Sequence, residues 1–272
     1  MKTIEEYRVS AQEIYSKLHL ATYPVAIKYI KSSDEIPEKA MRPSAAGKKL
    51  ALCQAFTLAR RWGTTVALTS DDNFCTPATV MHRWENVAMD DMVESQVRQG
   101  WHRDREAEIR RFQALSDLLG QEYITRPKQY VGLICSPLTK APFIPDSILI
   151  YGDGVQITHI IHALSYEYKH VPISSFEGFG ESCMKGGLAP FVAQKPQVVI
   201  PGSGDRAFAA ISEYEIGIGM PALLIFYVID NLFKSGGHMN IGFPLKTMLP
   251  MDLTEKLTPG FKYLREKIDH SK

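Results

Sequence analysis

Five short apolar runs, each bounded by proline, glycine or a polar turn, punctuate this chain: Tyr23 to Ile30, Thr64 to Thr69, Tyr130 to Ser136, Ser147 to Tyr151 and Gln197 to Ile200. Runs of roughly four to eight residues rich in Val, Ile, Thr and aromatic side chains read as strands. Between them the period changes. Ile4, Tyr7, Ala11, Ile14, Tyr15 and Leu18 fall at helical spacing, Leu50 to Arg61 repeats that pattern and stops at Gly63, and residues 76 to 120 read as mostly helical. Val155 to Tyr168 and residues 221 to 234 make two further helices, whereas Lys31 to Lys49, with Pro37 and Pro43, reads as loop. Strands and helices intermix without strict alternation, which predicts an α/β or α+β fold with a mixed central sheet flanked by helices.

At roughly 100–200 residues per domain, 272 residues allow one large domain or two closely packed ones, of which the single domain is expected, and 45% hydrophobic residues supply a core without disulfides. The two halves carry a faint echo. Cys53, a helical stretch, Val66-Ala67-Leu68 and the turn ending at Cys75 resemble Cys183, an apolar stretch, Val198-Val199-Ile200 and the turn from Gly202 to Arg206. If the echo is a duplication, it divides the chain into pseudo-symmetric halves near residues 125–145 and brings the two turns together about a twofold axis.

A net charge of +1 provides no field that would draw nucleic acid or anionic lipid wholesale. The longest apolar stretch, Met220 to Ile229, falls short of the roughly 20 residues of a membrane span, and the N-terminus contains acidic residues and lacks the apolar region of a signal peptide. These features predict a cytoplasmic protein with reduced thiols. The charged stretch Arg103 to Arg111 reads as a solvated face. The helix from residue 221, with Met239, Met248 and Met251 beyond it, reads first as core and second as the surface of a homodimer.

The residues able to carry chemistry are few. Cys135 lies inside an apolar strand and reads as core. Cys53, Cys75 and Cys183 sit at a helix start or in loops, but no CxxC pair exists, so by spacing alone they read as inert thiols before they read as ligands. Pro201-Gly202-Ser203-Gly204-Asp205-Arg206 follows a strand and opens a helix; its amides and Arg206 suit an anion, while Asp205 as a helix cap and Arg206 in an ion pair is the plainer reading. Lys28, within an otherwise apolar strand, either emerges at a sheet edge or faces an anionic ligand. His159 and His162 share one helical face without the carboxylate partners of a metal motif, and Gly178-Phe179-Gly180-Glu181-Ser182 has the wrong order for a nucleophile elbow.

Together, Pro24-Val25-Ala26-Ile27-Lys28, Cys53-Gln54-Ala55 with Ala59-Arg60-Arg61, Cys75 after an acidic turn, Pro145-Asp146, Cys183 after Phe176-Glu177-Gly178, and the 201–206 turn with Glu215 and Pro221 resemble the domain-of-unknown-function family numbered 169, over roughly residues 5 to 250. That family is common in anaerobic bacteria and archaea and largely uncharacterised. The resemblance implies that Cys53, Cys75 and Cys183 are characteristic positions and that Cys135 is not. Where some members carry a further cysteine, this chain has Gly202.

Three thiolates on a [4Fe-4S] cluster leave one iron open to a small anionic substrate, for lyase, desulfurase or redox chemistry, with Lys28 and Arg206 as catalytic positive charges and Gly202 and Gly204 allowing close backbone approach. The alternative is a metal-free module that binds or senses a small anion through Lys28 and the 201–206 turn. A single-metal or persulfide carrier on the same thiols is a third reading.

Overall fold

The computed structural model describes residues 2–100, 102, 104–125, 127–178, 180–235 and 259–269. The elements run α1 (Ile4–Lys17), β1 (Val25–Ile30), α2 (Leu52–Trp62), β2 (Val66–Thr69), α3 (Thr76–Met81), α4 (Met89–Gln99), α5 (Arg105–Leu119), α6 (Gln121–Thr125), β3 (Gly132–Pro137), β4 (Ser147–Gly152) and α7 (Gly154–Ser165). After these come a π-helical segment (Glu181–Leu188), α8 (Ala189–Ala193), β5 (Gln197–Val199), α9 (Ser203–Phe208), β6 (Ile216–Pro221), α10 (Leu224–Asn231) and α11 (Pro259–Asp269). The Met239, Met248 and Met251 tail lies outside the described residues. Among the described residues no helix is long and apolar enough to cross a membrane.

The ends of these helices are written locally. Thr3 and Glu6 form a reciprocal capping box at the start of α1, as do Asp153 and Gln156 at α7. Helix α2 stops where Gly63 takes φ +70°, a left-handed conformation that glycine adopts without strain. Gln156 also donates from Nε2 to the carbonyls of Leu18 (3.0 Å) and His19 (2.9 Å), tying the end of α1 to the start of α7.

Six strands form one sheet in the order β2-β3-β1-β4-β6-β5, and every adjacent pair is antiparallel, so the fold is α+β and the sheet does not mix strand directions. Read outward from the centre, each half repeats one order: its first strand innermost, its third next, its second at the edge. The central seam pairs Val25 with Leu149, Ala26 with Ile148 and Ile27 with Ser147.

Side chains alternate across the sheet and so build two cores. Val25, Ile27, Tyr29, Leu133 and Leu149 pack beneath α2, the π-helical segment and α5, whereas Ala26, Ile30, Ile134, Ile148 and Ile150 pack against α1, α7 and α10. The result is a sheet between two helical layers.

Strand β6 was not anticipated. Its sequence, Ile-Gly-Ile-Gly-Met-Pro, places glycine at alternate positions and hides the apolar signal, and the helix expected over 221–234 begins only at Leu224 and ends at Asn231. The glycines have a packing reason. A Cβ on Gly219 would lie 2.1 Å from the carbonyl oxygen of Gly186, so β6 carries glycine where the π-helical segment rests on the sheet.

Candidate functional site

Cys53 occupies the first turn of α2, Cys75 precedes α3, and Cys183 lies in the π-helical segment. These elements meet because the connections around them are pinned. Leu50 donates to the carbonyl of Asp72 (2.9 Å) and Phe74 donates to that of Leu50 (2.8 Å), which fixes the entry to α2 against the Cys75 turn. Within that turn, Asn73 accepts from the Cys75 amide through Oδ1 (3.2 Å) and donates through Nδ2 to the Cys75 carbonyl (2.9 Å) and to Thr79 Oγ1 (2.8 Å). On the other side, Asp205 Oδ2 accepts from the amides of Gly202 (3.0 Å) and Ser182 (3.1 Å), joining the start of α9 to the residue before Cys183. Thr57 closes the ring by donating to the Ala209 carbonyl (2.6 Å).

All three cysteines line one cavity of about 380 Å³ on the sheet face that carries α2. Cys135 does not line it; it is fully buried in β3. The remaining walls include Met81, Met92, Met184, Phe112 and Leu115, with Gln96, Gln99, Arg111 and Asp205 as polar groups, and exposed Phe74 and Phe208 beside them. The π-helical turn, a rare element often found at functional sites, is what presents Cys183 here.

The electrostatics of the cavity favour protonated thiols. Burial, reinforced by Asp205 and Cys75, pushes the Cys53 thiol up to about 12. Burial likewise raises Cys183 well above the ordinary thiol range, with Asp205, Cys75 and Cys53 adding to it. Burial raises Cys75 as well, partly offset by the Ala78 amide. Asp205 is itself raised by burial against the opposing pull of the Gly202 and Ser182 amides. The amides of Gln54, Ala78 and Met184 act against burial, pulling the Cys53, Cys75 and Cys183 thiols down.

The stretch read as a solvated face is solvated only in part. Glu108 is fully buried and the Arg111 side chain is 12% exposed, because Glu108 holds both Arg111 (3.4 Å) and His102 (2.6 Å). Arg111 also reaches Glu177 (3.1 Å). Glu108, Arg111, Phe112 and Leu115 share helical spacing on one face, and that periodicity was the available sign that α5 turns this face inward.

The other candidates lie elsewhere. Lys28 shares strand parity with Ala26 and Ile30, so it belongs to the face opposite the cysteines, where it pairs with Glu35 (3.3 Å). Gly202 caps α9 and its amide is taken by Asp205, while Gly204 lines the cavity. Arg206 donates from Nε to the Pro201 carbonyl (3.1 Å) and from Nη1 to that of Ser212 (3.2 Å), and the Ser203 amide donates to the Gly178 carbonyl (2.9 Å). His159 and His162 lie on α7, in the opposite helical layer, with the His159 ring edge-on to Phe233 at 5.0 Å. Among the described residues no three His, Cys, Asp or Glu side chains are grouped to hold one metal ion as they stand.

An uncharacterised protein of Methanocaldococcus jannaschii, MJ0308, is 24% identical over 223 residues, covering 80% of this chain and 90% of the relative. No solved structure matches the chain. The family model for DUF169, the uncharacterised ArCR proteins, matches residues 13–231, most of the chain and the whole of the cysteine cavity; the chain belongs to the DUF169 family.

Proposed function

We propose that the cysteine cavity is the working site of this protein and that Cys53, Cys75 and Cys183 hold an iron–sulfur cluster of the [4Fe-4S] type there. The observation that carries this reading is the convergence of three cysteines, from three separate elements and both halves of the chain, on one cavity that the fourth cysteine does not reach. Thiolates are the donors such clusters take, and a cluster spreads its ligands wider than one ion does, which suits sulfurs that share a cavity without closing on a point. When bound with three protein thiolates, the cluster supplies one iron able to act as a Lewis acid or to pass an electron, in lyase, desulfurase or redox chemistry.

The protein's own groups do the rest. The amides of Gln54, Ala78 and Met184 favour the thiolate forms of Cys53, Cys75 and Cys183. Cys53 is buried, and Cys75 and Cys183 are half-buried where they line the cavity. Because the thiols are raised, loading releases protons and strengthens as pH rises. Free thiols of this kind suit the reducing cytoplasm.

The anion-binding alternative fares less well on geometry, since Lys28 is on the other face and the Gly202 and Ser203 amides and two Arg206 donors are already engaged. The test is iron and acid-labile sulfide, with a visible absorption spectrum, on protein purified without oxygen. Near-stoichiometric cluster is expected in the wild type and in Cys135→Ala, and its loss in Cys53→Ser, Cys75→Ser and Cys183→Ser. Iron-free protein after cluster reconstitution, or iron retained by all three serine variants, overturns the reading.

A further inference from the structure

The cavity also limits what can bind beside the cysteines. Among the described residues the one lining cation, Arg111, is matched by Glu177 at 3.1 Å and Glu108 at 3.4 Å, and Asp205 adds a carboxylate to the wall. Among the described side chains an anion entering here would find no uncompensated positive charge and would face Asp205, a combination that burial makes costly for the protein's own groups to hold. The remaining lining is of another kind. Met81, Met92 and Met184 come from three different elements, and their unbranched thioethers adapt to the shape of an apolar guest. Phe112 and Leu115 form the α5 wall, and Phe74 and Phe208, at 68% and 55% exposure, are large apolar side chains left in contact with water beside the cavity. Gln96 and Gln99 supply neutral hydrogen-bonding groups. A volume of about 380 Å³ falls at the lower end of small-molecule sites, which run roughly 300–1,000 Å³ and are mostly apolar with few polar groups.

We infer that the cavity takes an uncharged organic molecule with an apolar or aromatic body and a hydrogen-bonding end, entering past Phe74 and Phe208, rather than a small anion. The inference rests on the cavity being the working site, and it names the class of substrate that would meet the cysteines there. Phe74 and Phe208 pack on the body of the guest, the three methionines shape the floor, and a glutamine amide meets its polar end.

Gly204 provides the decisive variant. It lines the cavity within the first turn of α9, and a Cβ built there meets nothing within 4 Å, so a side chain at this position starts from open space on the cavity wall and Gly204→Phe is placed to obstruct it. The probe is Nile red, an uncharged solvatochromic dye, titrated into the full chain as wild type and as an iron-free variant with Cys53, Cys75 and Cys183 all changed to serine; inorganic phosphate and citrate are the anionic comparison. Saturable, blue-shifted dye emission in the iron-free variant is expected, weakened at least tenfold by Gly204→Phe at unchanged Tm, with no Tm shift from phosphate or citrate. Dye binding that Gly204→Phe leaves intact, an absence of dye binding, or stabilisation by the anions instead, overturns the inference. Dye binding to a wild type that carries no iron would sink the cluster and keep the ligand class. Iron without dye binding would do the reverse.

Discussion

Asp72 accepts five hydrogen bonds: from Arg42 Nε and Nη2, the Ser44 amide, and the amide and hydroxyl of Thr69. Burial alone would raise its carboxyl, but the Ser44 and Arg42 hydrogen bonds and the two amides outweigh burial and hold it at about 2. A folded value below the ordinary 3.8 means that the charged form stabilises the fold above pH 4, and that this contribution is lost as pH falls through 2. Asp72→Asn should therefore cost on the order of 2 kcal/mol of unfolding free energy near neutral pH. Urea denaturation at pH 6, 4 and 2 checks it: the gap between wild type and variant should close toward pH 2. A constant gap would show that Asp72 contributes shape and not charge. The residue matters to the site because the Asp72 carbonyl receives the Leu50 amide at the entrance to α2, one residue from Asn73, which orients Cys75.

Among elements, the π-helical segment depends most on its neighbours. Gly186 and Gly219 bring two backbones together, and an added Cβ on Gly219 would stand 2.1 Å from one backbone oxygen and 2.7 Å from two backbone carbons. Neither strand nor helix can yield as a flexible side chain would, so Gly219→Ala must move the segment that carries Cys183. Overpacking of this kind costs about 1–3 kcal/mol and at times more. We expect a Tm several degrees below wild type and, on the proposed cluster, a loss of iron, against near-wild-type values for Gly204→Ala, where the new methyl meets open space. Thermal unfolding with iron analysis on both variants checks this; equal stability of Gly219→Ala and wild type would refute the contact. The same pair explains what the sequence concealed. Strands β1, β3 and β4 were legible because their residues are apolar on both faces, whereas β6 has glycine at two of its six positions, Gly219 to seat the π-helical segment, and Gly186-Gly187 reads locally as a break. The cysteines were legible only as a family pattern, since Cys183 reaches Cys53 and Cys75 through contacts between residues more than a hundred apart, such as Thr57 with Ala209, that no local spacing encodes. Lys28 misled for a related reason: its charge stood out in the strand, but its parity with Ala26 and Ile30 assigns it to the opposite face.

At the scale of the molecule, the halves are joined by more than the sheet seam. Both cores draw side chains from each half, and the cavity takes Cys53 and Cys75 from one and Cys183 and Asp205 from the other. Arg60 of α2 forms a buried two-pronged ion pair with Glu215 (2.6 and 3.1 Å), lies over the Tyr151 ring at 4.4 Å, and is backed by Arg61, also on Glu215 (3.0 Å). Burial opposes the Glu215 charge, yet Arg60, the Ser212 amide and Arg61 together hold its carboxyl below the usual range. A chain of this length commonly unfolds in stages. Here a stage that releases one half would expose both cores and strand a buried arginine, so unfolding should be a single transition. The chain offers a direct check, because Trp62, Trp84 and Trp101 all lie in the first half while far-UV circular dichroism reports on both. Tryptophan fluorescence and circular dichroism should give the same urea midpoint. Glu215→Ala, which leaves Arg60 buried without its partner, should lower both midpoints together by a stability of about 3–5 kcal/mol. Separate midpoints, or a change that moves circular dichroism and leaves the fluorescence transition in place, would mean that the halves fold independently. The cysteine cavity would then be an interface between two domains and not a site within one.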